Sequence, residues 1–110
     1  MEERLISDLG KLIVPVNSLW SVIDIVVDHL QEEIHVEVVF NQEFYKYKGK
    51  KLRLYDKRPA RQWRHLDLWQ FKTYIVARVP RIKTELGIMS IPVPWADEHE
   101  RMTILLEKKF

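Results

Sequence analysis

An α+β fold is predicted for this chain: a small antiparallel β-sheet with one helix before it and one after it. Three observations carry that prediction. Apolar residues recur at helical spacing near the N-terminus, strand alternation fills two long stretches further on, and a capping pattern precedes a last apolar stripe. The 110 residues have the length of one ordinary domain, which buries most of its apolar surface without staples. The whole of 1–110 is therefore read as a single domain.

Leu5, Ile6, Leu9, Leu12 and Ile13 share a helical face, and Glu2 and Glu3 lie where the helix dipole favours acids. This gives an N-terminal helix over 1–15, closed by Pro15. A β-hairpin follows over 20–41. In its first strand Ile23, Ile25 and Val27 oppose Asp24 and Asp28; in its second, Ile34, Val36, Val38 and Phe40 alternate with His35, Glu37, Val39 and Asn41. The polar Gln31-Glu32-Glu33 supplies the connection. Between Tyr45 and Lys50 aromatics and lysines alternate ahead of Gly49, which reads as a short ribbon or turn, and Leu52 to Tyr55 reads as a brief strand. Pro59 blocks a helix through the basic run after it.

Trp69 to Pro80 reads as one long strand, with Phe71, Thr73, Ile75, Ala77 and Val79 opposing Lys72, Tyr74, Val76 and Arg78. Gly87 marks a turn, and Ile88 to Val93 forms a final strand that Pro92 and Pro94 confine to an edge. Asp97 with Glu100 three residues later resembles a capping box, so a C-terminal helix is predicted to start over 97–110, with Met102, Leu105 and Leu106 on one face. The chain ends at Lys108-Lys109-Phe110 with no stop signal, from which a continuation of the natural protein is expected.

Charge is divided steeply. Residues 1–42 carry two bases against eight acids, residues 43–83 thirteen against three, and residues 84–110 three against five, within a net charge of +2. A basic strip of this kind concentrates polyanions while leaving the fold unspecified. Arg53, Lys57, Arg58, Arg61 and Arg64 fall within twelve residues, and the arginine fork pairs with phosphate oxygens two at a time. Charge alone leaves two readings open: contact with nucleic acid, or internal pairing of the strip with the acidic hairpin.

Other classes fare worse. No cysteine is present, which removes disulfides, thiolate metal sites and cysteine nucleophiles and fits a reducing, cytoplasmic setting. The N-terminus lacks the order of a signal peptide, and no apolar run approaches the roughly 18 residues of a membrane span. His29, His35, His65 and His99 show no close ligand spacing, and there is no Gly-rich phosphate loop or nucleophile elbow. Asp24, Asp28, Glu33 and Glu37 suit the solvated side of a hairpin better than a carboxylate site. A self-contained enzyme is not expected, nor a cofactor, a metal or a small-molecule substrate. Trp63 and Trp95 are assigned to the core, whereas Tyr45 and Tyr47, flanked by lysines, are left open between stacking and packing.

The run from Tyr55 to Tyr74, centred on Trp63-Arg64-His65-Leu66, followed by Ala77-Arg78-Val79-Pro80-Arg81-Ile82-Lys83 and then Val93-Pro94-Trp95-Ala96, resembles the N-terminal zinc-finger-like domain of ISL family-three insertion-sequence transposases. The resemblance covers roughly residues 20–110 and is strongest from Asp56 to Ala96. It implies a degenerate, zinc-ribbon-like basic region over 43–96. The family's first cysteine pair falls on Tyr45 and Lys48 and its second set of ligands on Thr84-Glu85-Leu86, so the resemblance implies that the zinc ligands are lost and their turns kept. Tyr45, Tyr47 and Leu86 are expected to fill the vacated space.

DNA is then the expected partner, at the ends of a mobile element. Arg53, Lys57, Arg58, Arg61, Arg64, Lys72, Arg78, Arg81 and Lys83 are expected to contact phosphates. His65 belongs to the same patch and is read as capping a turn in preference to reaching a base edge. The carboxylate core that the family's transposases use for catalysis is not expected in these residues. A truncated transposase and a free-standing descendant fit equally well. The alternative is a protein-interaction or self-association module that uses the acidic and basic faces.

Overall fold

A computed structural model describes residues 5, 8–10, 13, 14, 16–97 and 100–109. The described chain is mainly β. Eight strands run in order: β1 (Trp20–Asp28), β2 (Glu33–Phe40), β3 (Phe44–Tyr47), β4 (Lys50–Lys57), β5 (Arg61–Leu68), β6 (Phe71–Ala77), β7 (Pro80–Thr84) and β8 (Gly87–Ser90), followed by one short helix, α1 (Ile104–Lys109). They form four successive hairpins that alternate between two sheets. The first sheet has the order β1-β2-β6-β5 and the second β3-β4-β7-β8. Every pairing is antiparallel except β2 with β6, where two hairpins meet in parallel.

The predicted hairpin over 20–41 is present, with Trp20 opposite Phe40 and Asp28 opposite Glu33. A register shift between Val22 and Asp24 places Ile23 in a bulge, so Val22 is buried while Ile23 is half-exposed. Two predictions in the middle of the chain are corrected. Residues 61–68, left without an assignment by the sequence pattern, form β5. The long strand predicted from Trp69 to Pro80 is instead a two-residue turn at Trp69-Gln70, then β6, then a crossing at 78 and 79 that starts β7 in the other sheet.

The described helical segments are short. Among the described residues of 1–15, Leu5, 8–10 and Ile13 are helical and Val14 N–H donates to the Gly10 carbonyl at 2.8 Å; the rest of that prediction lies outside the described residues. Gly10 is required by close approach, because a Cβ there would overlap the Val22 side chain. At the C-terminus the helix begins at Ile104 rather than near Asp97. Its cap is Thr103, whose Oγ1 accepts from Leu106 N–H at 3.3 Å. Residues 101–103 lie instead along the outer edge of β5, where Arg64 N–H donates to Arg101 O and Thr103 N–H donates to Arg64 O, each at 2.8 Å. Leu106 is buried, while Met102 and Leu105 are not.

One hydrophobic cluster joins the two sheets: Trp20, Val22, Val36, Val38, Trp63 and Ile75 from the first, and Ile82 from the second, with Ile91 and Trp95 from the segment after β8. Trp63, Trp95, Trp20 and Phe40 pack edge-to-face in series, with centroids 5.3, 5.0 and 5.3 Å apart. Such pairs contribute about 0.5–1.5 kcal/mol each beyond their buried area. Trp63 and Trp95 are core residues, as the sequence indicates.

Candidate nucleic-acid interface

The second sheet turns its inner face, Tyr45, Leu52, Leu54 and Ile82, toward the core. Period-two alternation then sends Phe44, Lys46, Lys51, Arg53 and Lys83 to the other face. The β3–β4 loop that sets this register is Lys48-Gly49, with φ of 48° and 79°, the double positive φ of the tight turns that suit twisted strands. Lys46 stands directly opposite Lys51, a like-charge cross-strand pair that costs stability. Lys51 Nζ lies 4.6 Å and the Arg53 guanidinium 5.8 Å from the centroid of the Phe44 ring. Half-exposed Tyr55 adds a second aromatic, 5.9 Å from the Arg81 guanidinium. The strands of this sheet carry Lys46, Lys50, Lys51, Arg53, Lys57, Arg81 and Lys83 against a single acid, Asp56.

That acid is engaged. Arg81 holds Asp56 with both nitrogens of one fork edge, Nε to Oδ1 at 2.7 Å and Nη2 to Oδ2. The hydrogen bond from Arg81 is the main reason the Asp56 carboxyl sits below its ordinary pKa, and the same bond raises that of Arg81. At the end of the sheet, Lys57, Arg58 and Arg78 are exposed where β4 passes toward β5; Arg78 Nε donates to the Arg58 carbonyl at 3.0 Å.

The structure divides the residues singled out from sequence. Arg53 and Lys83 lie on the outer face of the second sheet, and Lys57, Arg58 and Arg78 on its rim. Lys72 is exposed on the other sheet, paired in register with Glu33. Arg61 donates to the Glu100 carbonyl and lies 4.7 Å over the Trp63 ring. Arg64 pairs with Asp67, donates to the His65 carbonyl at 2.7 Å, and stands 5.6 Å from the Tyr74 centroid.

His65 is 2 % exposed and leaves the surface set altogether. Its Nε2 contacts the Ile13 carbonyl at 2.6 Å and its Nδ1 the Thr103 hydroxyl at 2.7 Å. A carbonyl only accepts, so Nε2 carries the proton and Nδ1 accepts from Thr103. Burial above all, with a smaller contribution from the charge of Arg64, lowers its pKa against the opposing pull of the Ile13 carbonyl. His65 is a buried clasp between the two terminal segments, not a base reader.

Lys46, Lys51 and Phe44 were not singled out by the sequence. The signal was available: alternation on both sides of Lys48-Gly49 puts Phe44 and Lys46 on the face of Lys51 and Arg53. The same alternation turns Tyr45 and Tyr47 inward, where both pack against the core.

At one end of this sheet the Lys48-Gly49 turn and the Glu85-Leu86 turn flank a cavity of about 240 Å³ lined by Tyr47, Leu52, Thr84 and Leu86. Its donor set does not fit zinc, which takes thiolate, imidazole or carboxylate ligands four at a time. The one carboxylate there, Glu85, is 90 % exposed and paired with Lys50 at 3.4 Å. Among the described residues no three His, Asp or Glu side chains converge as a metal site, and no helix is long and apolar enough to cross a membrane.

No curated protein and no solved structure matches the chain. Residues 49–83, running from the β3–β4 turn through β7, match the family model described as the zinc-finger of transposase IS204/IS1001/IS1096/IS1165, so the basic middle of this chain is similar to that transposase zinc finger, without a cysteine to bind the metal.

Proposed function

We propose that the chain binds DNA through the outer face of its second sheet, as a recognition element for the ends of an insertion sequence. The observation that carries this reading is the composition of that face. Lys46, Lys51, Arg53 and Lys83 share it with Phe44, and the one acid in its strands is already held by Arg81. Two like charges directly across a strand pair weaken the fold, so the Lys46–Lys51 pair is better explained by a polyanion than by stability. Lys57, Arg58 and Arg78 extend the same field along the rim. The face offers phosphate pairing and positioning, with aromatic surface for contact to sugar or base, and no group suited to breaking a bond. The matched transposase zinc finger supports the choice of DNA among polyanions.

The test is duplex DNA binding by the full chain across a salt series, with polyglutamate as competitor. Binding that weakens steeply with salt and resists polyglutamate supports the reading. Equal competition by polyglutamate makes the face a general polyanion or acidic-protein surface instead.

A further inference from the structure

At one end of the first sheet the β1–β2 turn and the β5–β6 turn lie side by side: Lys72 N–H donates to the Glu32 carbonyl at 2.9 Å, and the His29 and Phe71 rings meet at 5.8 Å. These turns present Leu30 at 95 % and Trp69 at 86 % exposure. Trp69 is held at φ 54°, in the first position of a two-residue loop where glycine is the usual occupant, and a bulky residue with positive φ is an outlier. The fold gains no packing from this ring and bears the strain of presenting it. Around the tip Asp28, Glu32, Glu33 and Asp67 outnumber Lys72 and the Arg64 that pairs with Asp67, so a phosphate backbone is a poor partner for it.

The opposite end of the molecule carries a groove of about 760 Å³, floored by Val79, Met89, Ile91 and Val93 with Arg58 and Arg61 on its rim. Among the described residues that line it, two bases stand against one acid, Asp97. β5 runs from Arg61 at the groove to Leu68 at the tip, about 23 Å along an extended strand, so a copy cannot fill its own groove.

We propose that the Trp69 tip of one chain docks into the Arg58/Arg61 groove of a second copy. Both surfaces are apolar at the centre, and their rims are of opposite charge, which sets orientation and encounter. Tip and groove are different surfaces, so the contact is head-to-tail and propagates through further copies unless the rotation closes a ring.

Sedimentation velocity of the full 110-residue chain without DNA tests this independently of the nucleic-acid reading. The wild-type sedimentation coefficient is expected to rise with concentration. Trp69→Gly is expected to weaken association at least about tenfold, since central aromatic anchors carry most of an interface's energy. Its melting temperature is expected to hold or rise, because glycine adopts positive φ freely. Met89→Glu, on an exposed edge strand, places an acid in the groove against the acidic tip and is expected to weaken association equally. An equimolar mixture of the two variants keeps one intact groove and one intact tip, and is expected to form complexes that stop at two chains. A wild type that stays monomeric at all concentrations, a Trp69→Gly protein that associates like wild type, or a mixture that fails to pair overturns the proposal.

Discussion

The two sheets are built alike and charged oppositely. Each consists of two hairpins, yet the first exposes Asp24 opposite Glu37 and sets half-buried Asp28 opposite Glu33, while the second exposes Lys46 opposite Lys51. Neither arrangement favours its own sheet, since like charges directly across a strand pair are destabilising. The joints differ too. The first sheet is closed by the parallel β2–β6 pairing and clasped by His65 to both terminal segments, and it contributes most of the buried core. The second contributes Ile82 and a set of half-buried side chains, and its outer face carries Lys46, Lys51, Arg53 and Lys83, which have no ion-pair partner among the described residues. Buried packing is thus weighted toward one sheet and exposed positive charge toward the other.

The largest effect should come from the part both sheets share. Trp95→Ala removes the ring that touches Trp20 and Trp63, and is expected to cost about 3–5 kcal/mol in urea unfolding, a large share of a small domain's stability. Acid should strike next, and at the first sheet first. The folded-state pKa of His65 is depressed, so the unfolded chain binds the proton more readily. The stability that neutral His65 supplies is complete above its ordinary value near 6.5 and is lost as pH falls from there toward the lowered value. Melting temperature should be flat above about pH 7 and fall below about pH 6.5. A second decline is expected near and below the ordinary Asp56 value of 3.8, when the carboxylate held by Arg81 protonates in the second sheet.

The smallest changes in stability separate the two faces most sharply. Lys46→Glu and Glu37→Lys each turn a like-charge pair into an opposite one, and each is expected to gain about 0.2–1 kcal/mol by thermal or urea unfolding. Only Lys46→Glu should weaken DNA binding. A gain of affinity in Glu37→Lys as large as the loss in Lys46→Glu would mean that net charge, and not one face, attracts the nucleic acid.

Legibility followed local chemistry. The hairpin over 20–41 alternates cleanly and was readable; its bulge at Ile23 was not, because an extra residue leaves no mark on an apolar run. β5 was missed because its inward positions include Arg61 and His65, polar residues whose partners Glu100, Ile13 and Thr103 lie far along the chain. β6 was merged with its turn because Trp69-Gln70 is not turn chemistry, a mismatch that marks the tip proposed above to dock. The basic block was legible as charge. Which of its members were engaged was not, since Arg81 finds Asp56 twenty-five residues away and Arg64 finds the Tyr74 ring across a strand pair. The outer-face lysines follow from the alternation around Lys48-Gly49, the two-residue turn at the centre of the β3–β4 hairpin.

The proposed DNA interface is the outer face of the second sheet. Its most direct test is the slope of log affinity for a short duplex against log salt, measured for wild type and for Lys51→Glu with Arg53→Glu. Each phosphate contact contributes about 0.9 to that slope. Weaker binding and a slope shallower by about 1.8 are expected for the double variant. Wild-type affinity and slope in that variant would contradict the assignment of that face.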